Sequence, residues 1–124
     1  MGEFPFFVPD VGAAVGDSIP PDSIVSRTLY RAGRTRAVLF GMAKGQELTE
    51  HTTPYRAHLF FVRGRARVQV AGEMFDCRGG AWLVLPPNAP HSVEAQEETL
   101  FVLIMVNEAP EGHSEGDISR PPTR

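Results

Sequence analysis

His51, His58 and His91 are the residues of this 124-residue chain whose type and spacing can do chemistry. His51 follows Gly45 by six residues, His58 lies seven further on, and His91 closes a segment opening Gly80–Ala–Trp–Leu–Val–Leu–Pro86. A neutral imidazole carries a lone pair near physiological pH, which makes histidine the commonest metal ligand. Three imidazoles on one ion, with a coordination position left open, describe a catalytic metal centre rather than a closed structural one. Around them stand polar candidates. Thr53 and Tyr55 would orient water or substrate, and Arg56 would clamp a substrate carboxylate in bidentate fashion, with an exposed ion pair as the structural alternative. Glu47 and Glu50 flank the approach to His51 and would supply a carboxylate; solvated loop charges are the plainer reading. His113 sits in a polar terminal stretch and reads as solvated.

The elements that must position these groups are strands. Short runs punctuated by turn residues read as Val25–Arg31, Ala37–Ala43, Ala57–Arg63, Ala66–Ala71, Glu73–Arg78, Trp82–Leu85, His91–Ala95 and Thr99–Val106. Evenly spaced strands of this kind predict a sandwich or barrel, and nowhere does an apolar 3.6-residue period persist. Gly64 and Gly72 mark tight reversals, so residues 57–78 read as a three-stranded meander. Leu59–Phe60–Phe61–Val62 and Leu100–Val106 are apolar on both faces and need a second covering layer. Residues 1–24 would supply it, or a second subunit, and the pattern favours a homodimer. That N-terminal stretch, rich in Pro and Gly, reads as an irregular arm. Residues 25–106 form the barrel, and 107–124 read as a flexible polar tail. Phe60 and Trp82 are expected to pack the barrel, with Phe60 also lining the substrate cavity.

Composition narrows the function classes. A net charge of −3 argues against nucleic acid and anionic membrane as partners. Arg31, Arg34 and Arg36, broken by Gly33, read as a solvated turn. The single cysteine, Cys77, excludes a disulfide framework and a multi-cysteine zinc site, and its place on an alternating strand suggests a buried thiol. No stretch of about 20 apolar residues exists, and the N-terminus lacks a basic signal-peptide region, so a cytoplasmic location is expected.

Gly45, His51, the strand from 57, Gly64, Gly80, Pro86 and His91 together resemble the two signatures of the cupin superfamily, roughly G-x5-H-x-H-x3-4-E-x6-G and G-x5-P-x-G-x2-H-x3-N. The likeness spans about residues 35–106. It implies an all-β double-stranded β-helix, the double-sheet jelly roll of a small single-domain cupin of the conserved-barrel type. The departures are informative. Thr53 stands where the second histidine ligand would be, and the glutamate slot falls at Ala57 or His58. With His58 in that slot, Gly64 comes one residue early. Asn88 replaces a glycine of the second signature, a swap that tolerates positive φ, and Ala95 replaces its final asparagine.

The resemblance implies a barrel-interior site with His51, His58 and His91 on one divalent transition metal (Fe, Zn, Ni, Cu or Mn). Its reaction on a small organic molecule would be dioxygenase-like, or a metal-assisted isomerisation or lyase step. The competing reading is a non-enzymatic barrel that binds or senses a small ligand through a degenerate metal site.

Overall fold

The computed structural model describes residues 4–16 and 18–108. Within them nine strands form two antiparallel sheets: β1 (Ile24–Ala32), β2 (Thr35–Met42), β3 (Glu47–His51), β4 (Arg56–Arg63), β5 (Arg65–Val70), β6 (Glu73–Arg78), β7 (Trp82–Leu85), β8 (His91–Ala95) and β9 (Thr99–Val106). A five-stranded sheet runs β1-β2-β9-β4-β7 and a four-stranded sheet runs β3-β8-β5-β6. The jelly roll expected from the sequence is the observed fold.

The core lies between the sheets because alternate residues of each strand point inward. Ala57, Leu59, Phe61, Leu85 and Phe101 come from one sheet, and Ala66, Val68, Val70, Cys77, Val93 and Ala95 from the other. Phe101 packs its ring between Phe40 and Phe61, at centroid distances of 5.3 and 5.1 Å. Fully burying a large side chain such as Leu59, Phe61 or Phe101 contributes about 1.5–3 kcal/mol relative to exposure.

Two connections differ from the sequence expectation. Residues 57–78 are not one meander: β4 belongs to the five-stranded sheet, whereas β5 and β6 pair in the other. Gly64 is therefore the crossing between sheets. It holds φ +97°, and a Cβ there would lie 2.3 Å from the Glu98 carbonyl oxygen, so no larger residue fits without backbone movement. The β5–β6 reversal is the expected tight hairpin, with Ala71 and Gly72 both at positive φ. The second difference is β3, a strand that the Glu–Leu–Thr–Glu–His stretch does not announce because only Leu48 in it is apolar.

The arm folds back over the outer face of the five-stranded sheet. Among its described residues it forms a 3-10 turn, Val11–Val15, capped by Asp10, whose carboxylate accepts from the Gly12 amide at 3.1 Å. Arg27 on β1 donates to the Ala14 carbonyl at 2.9 Å, and Ile19 lies where a Gly41 side chain would otherwise stand. Beneath this cover Leu39 and Leu100 are fully buried. The arm thus supplies part of the layer that the doubly apolar strands require. Arg31, Arg34 and Arg36 are exposed at the β1–β2 turn, as expected. Of the polar tail, residues 109–124, with His113, lie outside the described residues.

Candidate functional site

The inner face of the four-stranded sheet carries two imidazoles in contact. His51 on β3 pairs with His91 on β8, and His91 pairs in turn with Val70 on β5. Regular alternation would send Leu48 and His51 to opposite faces, since they are three residues apart. A bulge changes this: Leu48 pairs with Val93 and His51 with His91, three residues against two. The extra residue turns His51 inward. The rings lie 4.3 Å apart, edge to face, with their Nε2 atoms separated by 3.1 Å. His91 is buried and His51 is on the open side.

Each ring is aimed by its other nitrogen. His51 Nδ1 lies 2.8 Å from the Thr49 carbonyl and His91 Nδ1 lies 2.8 Å from the Ala89 carbonyl. A carbonyl only accepts, so both Nδ1 atoms carry the hydrogen. Both neutral rings then present an Nε2 lone pair to the other at 3.1 Å, a repulsive arrangement unless a cation lies between them. Burial pushes the His91 pKa down, as does the nearby His51. The Ala89 carbonyl and the Glu50 charge oppose the shift without reversing it. An extra proton on this ring is therefore disfavoured at neutral pH.

The loops around the pair are tied together. The Asn88 amide donates to the Thr53 carbonyl at 2.7 Å, and Asn88 holds φ +68°, the conformation its replacement of glycine demands. Thr53 Oγ1 accepts from the Tyr55 amide at 3.3 Å, which closes the turn before β4.

His58 does not join the pair. On β4 the inward residues are Ala57, Leu59 and Phe61; His58 is on the outer face, in register with Ile104 and Val84. There it stacks on Trp82 at 5.8 Å and accepts the Trp82 indole N–H through Nδ1 at 3.2 Å. The inward position, and hence the glutamate slot, is Ala57. Gly64 already marked that slot in the sequence, because the E-x6-G spacing runs from 57 and not from 58. Among the described residues no group of three metal-ligating side chains is assembled.

Five further residues singled out in the sequence also fall outside the pair. Arg56 shares the outer face and its Nε donates to Glu108 at 2.8 Å, the ion-pair alternative rather than a clamp at the site. Phe60 and Trp82 are not packed in the barrel; both are exposed on the outer face. Glu47 pairs with Glu94 on the face away from the core, and Glu50 is exposed. What sequence reasoning missed was the direct contact of the two imidazoles, which depends on a bulge that no spacing reveals.

Comparison with known proteins identifies the class. The cupin domain family model matches residues 38–107, more than half the chain, so this chain is a member of the cupin family. Its jelly roll is similar to that of a conserved protein of unknown function from Streptococcus pyogenes, at TM-score 0.74 and 27% identity over 86% of this chain and 90% of that one. A cupin superfamily protein from Desulfitobacterium hafniense aligns at TM-score 0.73 and 18% identity, covering 82% of this chain and 93% of its own. A cupin 2 conserved barrel domain protein from Leptotrichia buccalis aligns at TM-score 0.71 and 30% identity over 77% of this chain; the alignment covers 46% of that longer chain. No curated protein matches the sequence.

Two imidazoles fit one metal ion. Metal–nitrogen distances of about 2.0–2.1 Å place neighbouring ligands about 2.8–3.4 Å apart at angles near 90–110°, and the observed Nε2 separation is 3.1 Å. The carbonyls on both Nδ1 atoms are the outer partners that metal-bound histidines use to fix tautomer and direction.

Proposed function

We propose that this cupin binds a small oxygen-bearing organic molecule at a divalent transition metal held by His51 and His91. The observation that carries the reading is the pair of Nε2 lone pairs, converging at 3.1 Å with both Nδ1 hydrogens committed elsewhere. Fe, Zn, Ni, Cu or Mn all suit imidazole donors. Bound there, the metal would act as a Lewis acid on a carbonyl, enol or carboxylate oxygen.

This chain's own residues would do the rest. His91, buried and with a lowered pKa, stays neutral and available as a donor. Thr53 and Tyr55, in the turn beside the pair, would orient the ligand or its water. Ala57 leaves its position on the inner wall without a carboxylate, and among the described residues the exposed Glu50 is the acid whose charge acts on His91. That absence of a buried base favours binding and polarisation over proton abstraction. Dioxygenase-like, isomerase or lyase chemistry is the catalytic form of this reading; a barrel that binds without turnover is the other, and Ala57 favours the latter.

Titration of the purified protein with Ni(II), Zn(II) and Fe(II) by calorimetry, with His51→Ala and His91→Ala alongside, tests the assignment. One ion per chain, lost in both variants while His58→Ala retains it, is expected. No binding by the parent, or binding that survives both substitutions, refutes it.

A further inference from the structure

The two sheets face each other strand for strand. Short connections carry β2 into β3, β4 into β5, β6 into β7 and β8 into β9, so the order β2-β9-β4-β7 lies over the order β3-β8-β5-β6. His51 on β3 and His91 on β8 are therefore opposite β2 and β9. On those two strands Phe40, Phe101, Leu103 and Met105 pack inward on the core. The β2–β9 register is continuous, and it sets Arg36 beside Met105 in the same inward phase. Arg31 on β1 pairs directly with Arg36. One row thus crosses the inner face of the five-stranded sheet: Arg31, Arg36, Met105, Ala57 and Leu85. It lies at the end of the barrel that holds the two histidines, because β1, β3 and β9 finish there and β2, β4 and β8 begin there. The Asn107 amide, just past β9, donates to the Arg34 carbonyl at 2.8 Å and fixes the β1–β2 turn in that place.

Like charges directly opposite on one face of a sheet repel each other. Among the described residues neither Arg31 nor Arg36 has an acidic partner, whereas Arg56 has Glu108 and Arg65 has Asp76. In a chain of net charge −3, this unneutralised cation pair at the mouth of the barrel concentrates positive potential where an anion would relieve the repulsion. The spacing to the histidines also suits a ligand. Arg36 stands six residues from the end of β2 at Met42, and His51 four residues from the start of β3 at Glu47. At about 3.3 Å per residue and about 10 Å between sheets, the two backbones are roughly 12 Å apart. An extended arginine and an imidazole reaching across that distance leave room between them for a molecule of a few carbon atoms.

We infer that Arg31 and Arg36 form an oxyanion subsite at the mouth of the barrel. The ligand is then a small organic acid, with its carboxylate or phosphate on the arginines and another oxygen at the His51–His91 centre. The second contact rests on the metal reading above, and the first is independent of it. A planar guanidinium presents a fork of donors that matches either oxyanion.

NMR of the metal-free, ¹⁵N-labelled full chain tests the subsite without the metal. Titration with succinate should shift the Nε–Hε resonances of Arg31 and Arg36 along one isotherm. That of Arg67, exposed on the outward face of β5, should stay in place. Arg31→Gln and Arg36→Gln should each weaken binding at least fivefold, and Arg67→Gln less than twofold. Inorganic phosphate, titrated alongside, identifies the preferred group by which of the two binds tighter. Zn(II)-loaded protein tests both contacts together. Succinate should bind it at least tenfold tighter than butyrate, which has a single carboxylate, and Arg36→Gln should erase that advantage with the zinc retained. No shift at either arginine, or binding that survives both substitutions, overturns the inference. Equal affinity for succinate and butyrate overturns the span to the histidines. A parent that takes up no zinc contradicts the metal reading instead, and the metal-free titration still decides for the arginines.

Discussion

Ala57→Glu should separate stability from metal affinity in opposite directions. Ala57 is 1% exposed and sits in register between Leu85 and Met105 on the inner wall. Inserting a longer side chain there costs about 1–3 kcal/mol in overpacking. Burying an unpartnered carboxyl costs about 1–3 kcal/mol more. The metal-free variant should thus be about 2–6 kcal/mol less stable than the parent. At about 4–8 °C per kcal/mol for a domain near 100 residues, that lowers Tm by roughly 10–50 °C. In the family signature this position supplies a carboxylate ligand, so metal binding should tighten about tenfold or more, which is about 1.4 kcal/mol per decade. At metal one hundredfold above Kd, about 2.7 kcal/mol of stability returns. Differential scanning fluorimetry with and without Zn(II) reads both effects. Ala57→Gln is the control: it has nearly the same bulk and a similar apo penalty, but it is a poorer ligand. The reasoning is refuted if the variant's metal-induced rise in Tm is no larger than the parent's, or if the glutamine variant responds equally.

Other outcomes follow from the same geometry. His58→Ala should leave metal affinity within twofold of the parent while altering Trp82 fluorescence, because His58 touches the indole and not the site. For His91 the folded pKa lies below the ordinary value of 6.5, so the unfolded chain takes up the proton first. Metal-free stability should therefore be level above about pH 6.5 and fall as pH drops below it, a fall that urea midpoints show and that His91→Gln removes. Burial, with the Asp76 charge beside it, raises the Cys77 thiol pKa, so iodoacetamide should label native protein far more slowly than urea-unfolded protein at pH 8.

The fold was largely legible because apolar alternation and turn glycines act locally. Eight of the nine strands were placed within about two residues at either end, and Asn88 does hold the positive φ expected of it. β3 escaped because its residues are held by register with β8 rather than by their own pattern. The supposed meander failed for a related reason: Gly64 announces a reversal but not which sheet the next strand joins. The two imidazoles in contact, His51 and His91, are among the positions the spacing singles out, whereas the outward face of His58 is not readable from spacing, because one residue decides the face of a strand. The spacing to Gly64 marks Ala57 rather than His58 as the residue of that slot. The uncovered half of the outer sheet was foreshadowed by Leu59–Phe60–Phe61–Val62, apolar on both faces, although how far the arm reaches could only be seen in three dimensions.

We propose that His51 and His91, with no third imidazole from the described residues, converge on one cation. X-ray absorption at the metal edge of the Zn(II)-loaded protein tests it most directly by counting imidazole scatterers. Two imidazoles, with oxygen completing the shell, are expected. Three imidazoles, one or none, or a failure to take up zinc at all, would contradict it.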